Sequence, residues 1–259
     1  MSMLEVKDLS VSYGDLHILR DVSFSVEPGQ WLMIIGPNGA GKTTILNSIS
    51  RGVPYTGTIV YQGRDIRRWK PRELALNIGL LSQNNSMGYA FTVEEIVRLG
   101  RYAHSASVLS GDKDGREEAI DRAIALTGLE GLRNQSSLTL SGGELQRTFL
   151  AQLFAQDPRL LMLDEPTNHL DLVYQKQVFN LIREWLTENG RAVVSVVHDL
   201  SLARAYGTHA LLLSKGRTVA EGPVSEVTAP KLLNEVYSMD VYSWMREMYS
   251  QWTDEDSST

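Results

Sequence analysis

A glycine-rich stretch near position 40 has the residue types and spacing of a phosphate-binding loop. It fits the pattern G-x-x-x-x-G-K-[ST] and lies between an apolar run, Trp31 to Ile35, and a predicted helix. Backbone N–H groups of such a loop and of the helix N-terminus point at phosphates. A chance glycine turn is the alternative, and the strand-loop-helix context argues against it. The predicted nucleotide-binding residues are Gly36, Pro37, Asn38, Gly39, Ala40, Gly41, Lys42, Thr43 and Thr44.

Two side chains of this loop have predicted chemical roles. Lys42 would place a positive charge at the β and γ phosphates, so it is predicted to serve both binding and catalysis. The Thr43 hydroxyl would be a ligand for Mg²⁺, which prefers oxygen donors. The sequence therefore predicts that ATP or a similar nucleotide binds here together with Mg²⁺.

An acidic pair follows a second apolar run, Leu160 to Leu163. Because open α/β sheets bind ligands at the carboxyl ends of their strands, Asp164 is predicted to hold the Mg²⁺ ion. Glu165, one residue later, is predicted to polarise the attacking water as a general base. An isolated Asp-Glu pair could equally cap a helix or lie in a solvated turn. Its coexistence with a phosphate loop favours the catalytic interpretation.

Two further polar residues follow predicted strands and leave the same sheet edge. His198 comes after Ala192 to Val197, and it is predicted to contact the γ-phosphate. A histidine in a purely structural position is the alternative. Gln83 comes after Ile78 to Leu81, where it could contact Mg²⁺ or the attacking water.

The stretch Leu140-Ser-Gly-Gly-Glu144 predicts a second phosphate-facing surface. Ser141 and Glu144 have the spacing of a capping box, which in its simplest interpretation only starts a helix. Gly142 and Gly143 would also expose the amides of the first turn and its partial positive charge of about half a unit. We expect this surface to be out of reach of the phosphate loop in the same copy, so two copies would close around nucleotide.

The elements that position these residues indicate an α/β fold. Apolar strands without alternation, separated by helices, predict a mostly parallel sheet covered on both faces, preceded by antiparallel strands near the N-terminus. The chain is predicted to be a single domain, 1–259. Its nucleotide-binding core comprises 1–85 and 140–240, residues 86–139 form an inserted α-helical subdomain, and 241–259 form a C-terminal helix and polar tail.

Several local elements are predicted more closely. Thr92-Val-Glu-Glu95 has the pattern of a capping box that opens a helix. The other expectations are a polar connection from Arg64 to Arg72, a loop from Ser110 to Gly115, helices from Arg116 to Thr127, Tyr174 to Glu188 and Leu200 to Tyr206, and a hairpin joining Ala210 to Leu213 with Thr218 to Ala220.

Composition narrows the classes of function. The 259 residues are 42% hydrophobic, enough for a full core, and contain no cysteine, which excludes disulfides and thiolate chemistry. The formal charge of −6 argues against nucleic acid as a partner. No run approaches the roughly 20 apolar residues that cross a bilayer, and the N-terminus lacks a signal sequence. We therefore expect a cytoplasmic protein that could act at a membrane only through a partner protein.

Taken together, these residues resemble the ATP-binding-cassette ATPases over nearly the whole chain. The resemblance rests on the phosphate loop, Gln83, Leu140-Ser-Gly-Gly-Glu144-Leu-Gln-Arg147, the Asp164-Glu165 pair, Asn168-His-Leu-Asp171 and His198, in that order and spacing. The Leu-Ser-Gly-Gly-Glu stretch is the specific part, since a phosphate loop alone fits many unrelated NTPases.

The resemblance implies a mechanism and additional site residues. Two copies related by two-fold symmetry would trap two ATP molecules and Mg²⁺, and hydrolysis would open the clamp. Ser141 to Glu144 would face the γ-phosphate bound by the other copy, and Asp171 would cross to the opposing loop. Tyr13 would stack on adenine, although it could be merely a strand residue.

Softer features resemble one branch, the importers of iron–siderophores, haem and vitamin B12. They include Gly63-Arg-Asp-Ile66, Thr92 to Tyr102, Asp171-Leu-x-Tyr-Gln175 and Leu232-Leu-Asn-Glu-Val-Tyr237. Zinc and manganese importers share some of them. A soluble cassette ATPase that drives cofactor assembly, for instance on iron–sulfur scaffolds, is the alternative from another class.

The same branch implies the partners. An integral membrane permease would insert a short helix into a groove bordered by Gln83 to Val93, including Met87, Tyr89 and Phe91, although these side chains could equally belong to the subdomain core. The ATPase would then lie on the inner face of the cell membrane, with a substrate-binding protein as an indirect partner.

Overall fold

The computed structural model of the protein describes residues 2–82, 89–104, 113–168 and 170–253. Ten strands are present in this part of the chain: β1 (Leu4–Tyr13), β2 (Leu16–Val26), β3 (Trp31–Ile35), β4 (Thr56–Tyr61), β5 (Arg64–Asp65), β6 (Ile78–Leu81), β7 (Leu160–Asp164), β8 (Ala192–Val196), β9 (His209–Ser214) and β10 (Arg217–Pro223).

The described helices alternate with the later strands. They are α1 (Lys42–Ile49), α2 (Pro71–Asn77), α3 (Val93–Leu99), α4 (Lys113–Leu126), α5 (Gly142–Gln156), α6 (Leu172–Leu186), α7 (Leu200–Tyr206), α8 (Val224–Val227), α9 (Pro230–Tyr237) and α10 (Val241–Thr253). Short 3₁₀ turns lie at Ile66–Arg68, Tyr102–His104, Glu130–Leu132 and Ser137–Thr139. Within the described ranges, none of the helices combines the length and apolarity that a membrane crossing requires.

The strands form two sheets, as the predicted fold class requires. The antiparallel sheet has the order β2-β1-β4-β5, and the larger sheet has the order β10-β9-β3-β8-β7-β6. In the larger sheet β9, β3, β8, β7 and β6 are parallel, and only β10 runs against its neighbour. The α/β prediction with a mostly parallel sheet and N-terminal antiparallel strands is confirmed.

The central strands are apolar throughout because both faces of the larger sheet are covered. Every residue of β3, β7 and β8 is buried. Trp31 and Met33 point to the helical side, where the Trp31 ring stacks on Phe179 with centroids 5.4 Å apart. Leu32 and Ile34 point to the other side, into the core shared with the antiparallel sheet and α1.

A helical layer lies on one side of the larger sheet. Apolar side chains of α3, α4 and α5 share one buried cluster, which continues to the sheet. At its surface Glu94 accepts from both Arg98 and Arg133, and Arg98 also pairs with Glu117, so charges tie α3 to α4. The division of the chain at residues 85, 139 and 240 stays a prediction, and α5, assigned there to the core, packs on both α3 and α4.

The structure differs from several predicted boundaries. The arginine-rich connection contains β5, a 3₁₀ turn and the start of α2, because Pro71 occupies the first helical turn and Glu73 accepts from the Lys70 amide. Residues 113–115 are helical and not loop, since α4 begins before its first apolar residue. Helix α6 begins at Leu172, two residues early, where the Asp171 side chain caps it.

Other local predictions are confirmed. The capping boxes of Thr92 with Glu95 and of Ser141 with Glu144 are both formed. Helix α7 has the predicted bounds, and β9 pairs with β10 in the predicted hairpin.

Candidate active site

The phosphate loop connects β3 to α1 at the carboxyl edge of the larger sheet. Its three glycines have positive φ values of 143° at Gly36, 76° at Gly39 and 97° at Gly41. A Cβ on Gly36 would lie 2.2 Å from the Leu213 carbonyl oxygen, and one on Gly41 would lie 2.5 Å from a methyl of Leu19. Backbone conformation and space thus both require glycine at these two positions.

Lys42 begins α1 and is almost completely buried. Its Nζ donates to the carbonyl oxygens of Gly36 and Pro37, at 2.9 and 3.0 Å. Burial lowers the pKa of Lys42, and the nearby carboxylates of Glu165 and Asp164 oppose that effect. An anion held in the loop would stabilise the ammonium form directly.

Thr43 and Asp164 meet across the carboxyl edge. The Thr43 hydroxyl donates to Asp164 Oδ1 at 3.1 Å. Asp164 is buried at the end of β7, and burial raises the pKa of its carboxyl group, while the hydrogen bond from Thr43 opposes that effect. A hydroxyl beside a carboxylate is an oxygen donor set that suits a hard divalent cation. The part of the chain that the structure describes contains no group of three or more His, Cys, Asp and Glu that could hold a metal unaided.

Glu165 is held in an unusual backbone conformation. Its φ is 52°, and its amide donates to the Val196 carbonyl on the neighbouring strand at 3.1 Å. One carboxylate oxygen lies 2.5 Å from His198 Nε2, and the other accepts from Asn168 Nδ2 at 2.9 Å. The carboxylate is therefore oriented from two sides, in a position from which it could take a proton from a bound water.

A cavity of about 650 Å³ joins these groups, a volume typical of small-molecule sites. It opens between the phosphate loop and the ends of β7 and β8. Its lining residues are Ile18, Asn38, Gly39, Gly41, Lys42, Thr43, Thr44, Glu165, Asn168 and His198. The structure thus brings the predicted loop, Glu165 and His198 together around one cavity, and Asp164 lies beside it through its hydrogen bond with Thr43.

Other predicted residues are not among the described residues that line this cavity. Tyr13 is about half exposed at the end of β1 and is not among the lining residues. Asp171 caps α6, where its Oδ1 accepts from the Tyr174 amide at 3.0 Å. Gln83 lies outside the described residues, as does Met87 in the predicted permease groove. Tyr89 and Phe91, at the border of that groove, are exposed and contact each other edge to face.

The start of α5 presents an open surface. The Ser141 amide donates to Glu144 at 2.7 Å, and this hydrogen bond lowers the pKa of the Glu144 carboxyl. A Cβ on Gly142 would meet nothing within 4 Å, whereas one on Gly143 would lie 2.7 Å from the Tyr174 ring. The two adjacent glycines therefore have different constraints, and only Gly142 faces open space.

Two contacts of this site have no clear signal in the sequence, and a third residue had no role assigned to it there. Ile18 lines the cavity, and so does Asn168, whose only sequence signal was its place at the start of the Asn168-His-Leu-Asp171 stretch. The Tyr237 hydroxyl hydrogen-bonds the backbone of Gly36, which joins α9 to the loop across about 200 residues, and burial raises the pKa of Tyr237.

Known proteins match both the sequence and the fold. The family described as ABC transporter matches residues 19–168. The hemin import ATP-binding protein HmuV of Streptomyces coelicolor (strain ATCC BAA-471 / A3(2) / M145) is 43% identical over 90% of this chain and 82% of its own length. The ferric enterobactin transport ATP-binding protein FepC of Escherichia coli (strain K12) is 35% identical over 92% of this chain and 88% of its own length.

Two further matches are a relative that is longer than this chain and a solved structure. The ABC transporter ATP-binding protein YvrA of Bacillus subtilis (strain 168) is 37% identical over 92% of this chain, which spans 54% of that relative's length. Among solved structures, cbiO1 from Clostridium perfringens superposes with a TM-score of 0.79, covering 96% of this chain and 99% of its own. At 24% identity, this likeness concerns the fold.

Replacing the buried carboxyl group should stabilise the protein without nucleotide. Because burial raises the pKa of Asp164 above 3.8, its ionised form costs stability near neutral pH. We expect Asp164→Asn to raise Tm at pH 7 by roughly 2–4 °C for each kcal/mol released. The gain should shrink as pH falls through the raised pKa and vanish below 3.8, where the folded and unfolded carboxyls are both protonated. Thermal unfolding between pH 3.5 and 8 measures this difference.

Asp15→Asn, in the exposed turn between β1 and β2, is the control and should leave Tm nearly unchanged. A lower Tm for Asp164→Asn, or a gain independent of pH, would contradict this account of the site.

Proposed function

The chain belongs to the ABC transporter family, whose ATPase domains bind and hydrolyse ATP, and on that premise we propose that it is the ATPase subunit of a membrane importer. The observation that carries the proposal is the match, over at least 90% of this chain, to two relatives, one named for hemin import and one for ferric enterobactin transport. The cargo is accordingly of the haem, iron–siderophore or cobalamin type. These relatives favour import over cofactor assembly.

The described cavity accounts for binding of the triphosphate. The loop amides and Lys42 bind its phosphates, and Lys42 exchanges its two carbonyl partners for phosphate oxygens. Thr43 and Asp164 would hold Mg²⁺, which would neutralise developing phosphate charge. Phosphate and water oxygens would complete its ligand set. Gln83 is proposed to contact Mg²⁺ or the attacking water.

Glu165 is the proposed general base for the attacking water. Its carboxylate is held by Asn168 on one side and by His198 on the other, so it is oriented before water binds. His198 contacts this carboxylate and is proposed to contact the γ-phosphate as well. Positioning by these neighbours supplies the geometry that hydrolysis needs.

Two copies would complete each site. Ser141 to Glu144 would present the N-terminus of α5 to the γ-phosphate bound by the partner copy, for which the open space at Gly142 leaves room. Asp171 would reach the opposing phosphate loop, and the exposed ring of Tyr13 would stack on adenine. Loss of the γ-phosphate would then release the two copies.

The proposed permease site is the groove at Gln83 to Val93, where Tyr89 and Phe91 are exposed. Exposed aromatic side chains suit an interface with a short helix. Through this contact the ATPase would lie in the cytoplasm, on the inner face of the membrane. A substrate-binding protein would act on it only through the permease.

Glu165→Gln should abolish most hydrolysis and spare binding. Loss of a general base lowers turnover by roughly 10²–10⁴-fold, while the phosphate contacts remain. Phosphate release and equilibrium binding of ATP measure the two effects. Lys42→Ala is the contrasting variant and should weaken binding itself. Normal turnover in Glu165→Gln would refute its assignment as the base.

The two glycines of α5 provide a matched pair. Gly142→Ala should leave the free energy of unfolding within about 1 kcal/mol of the original, because its Cβ meets open space. It should nevertheless lower ATP hydrolysis by about tenfold or more, if the partner's phosphate approaches this amide. Gly143→Ala should instead destabilise the fold by about 1–3 kcal/mol, since the Tyr174 ring must move. Urea unfolding and ATPase assays separate these outcomes, and full activity in Gly142→Ala would contradict the two-copy site.

Affinity isolation tests the importer proposal. Glu165→Gln would be isolated from its native host in mild detergent with ATP and Mg²⁺, because blocked hydrolysis should keep the complex closed. We expect recovery of a multi-helix permease, whose genomic neighbours would then indicate the cargo. Recovery of only soluble scaffold proteins would overturn import and leave the ATPase site standing.

A further inference from the structure

Helix α10 packs on the rest of the molecule through its first half. Val241 is buried, and Tyr242 and Met245 pack against the core. The Tyr242 hydroxyl donates to the Thr228 carbonyl at 3.1 Å and hydrogen-bonds Arg204 of α7. These contacts fix the start of α10 beside the helix that follows His198.

A large apolar stripe that begins at Trp244 runs along α10 and is largely exposed. Trp244, Met248 and Trp252 recur every four residues on one helix face, with Tyr249 beside them. Trp252 is 81% exposed, Tyr249 68%, Met248 50% and Trp244 48%. The opposite face is polar and consists of Ser243, Arg246, Glu247 and Ser250.

This stripe needs an apolar cover. Short helical segments are barely stable in water unless an amphipathic face packs on something. Several large apolar side chains together on a surface also mark an interaction site. The six residues that follow α10 in the sequence, Asp-Glu-Asp-Ser-Ser-Thr, offer three carboxylates and no apolar side chain. They cannot supply the cover.

We propose that the stripe of α10 (Trp244, Met248, Tyr249 and Trp252) binds the same stripe of a second copy of this chain, in a two-fold symmetric helix pair. The contact goes beyond the ATP-dependent closure proposed above, because it needs no nucleotide. A stripe on a helix face is self-complementary about a two-fold axis through its middle, which falls at Met248.

Charge and area both favour a second copy as the occupant. Helix α10 has one cation, Arg246, and one anion, Glu247, and three acidic residues follow it, so nothing attracts it to anionic lipid. Side chains of this size and exposure could bury at most roughly 500 Å² per copy, or about 1,000 Å² in a pair. That area is the lower limit for a specific interface, so we expect a weak contact that matters when two copies are already close.

Such a contact would keep the two copies together after the γ-phosphate is lost. The helix pair would hold each phosphate loop at high effective concentration beside its partner, so the next closure would not depend on diffusion. In each copy α10 is fixed to α7, the helix that follows His198. The helix pair would therefore also link the α7 helices of the two copies.

The absence of cysteine from the sequence makes a direct test simple. Met248→Cys places one thiol at the centre of the stripe, and Arg246→Cys places one about 200° away around the helix, on the polar face. Each full-length variant would be oxidised without nucleotide and run on a non-reducing gel. We expect a disulfide-linked dimer from Met248→Cys, at least tenfold more than from Arg246→Cys. No dimer, or equal dimer from both variants, would overturn the proposal.

Two further experiments test whether the contact needs nucleotide and whether lipid covers the stripe instead. The same experiment in the Lys42→Ala background should give the same amount of dimer, so the result does not depend on the proposed ATPase function. Loss of cross-linking in that background would show that the contact depends on nucleotide and would overturn the proposal. The Met248→Cys protein would also be sedimented with vesicles of phosphatidylglycerol and phosphatidylethanolamine. Binding to these vesicles without cross-linking would show that lipid covers the stripe and would overturn the proposal.

Discussion

The parallel pairing of β3, β8 and β7 is the constraint on which the rest of the structure depends. These strands run in one direction in adjacent positions, so their carboxyl ends reach one edge of the sheet together. The pairing of Asp164 with Val196 sets the level of that edge. The phosphate loop, the acidic pair and His198 are brought together by this register, although 121 positions separate Thr43 from Asp164 in the sequence. Burial on both faces is what keeps the register from slipping.

The sequence predicts structure most accurately where a single local rule determines the conformation of a segment. The glycine spacing of the loop predicts its conformation because Gly36 and Gly41 have no room for a Cβ. The unbroken apolar runs predict buried parallel strands, and the two capping boxes predict helix starts. The fold class could be predicted for these reasons, and so could the grouping of the loop, Glu165 and His198 around one cavity.

What could not be predicted depends on contacts between distant segments. Nothing in the sequence near Tyr237 indicates a hydrogen bond to Gly36, because the docking of α9 on the core sets that distance. The sequence of the arginine-rich stretch after β4 predicts a polar loop. The short strand β5 forms there because Asp65 pairs with the free edge of β4. Ile18 enters the cavity only because the β1–β2 hairpin folds over the loop.

Glu165 has a consequence for how this protein can change. A left-handed backbone at a glutamate costs about 1 kcal/mol or more, and glycine or asparagine would adopt it more easily. With glutamate at this position, the folded chain is less stable than it would be with glycine or asparagine. On the proposed role of Glu165 as the general base, heat resistance and ATP turnover make opposite demands at this position. With that role, a population of variants screened only for survival at high temperature would accumulate chains that are more stable but hydrolyse ATP far more slowly, so any thermostable derivative has to be selected for both properties at once.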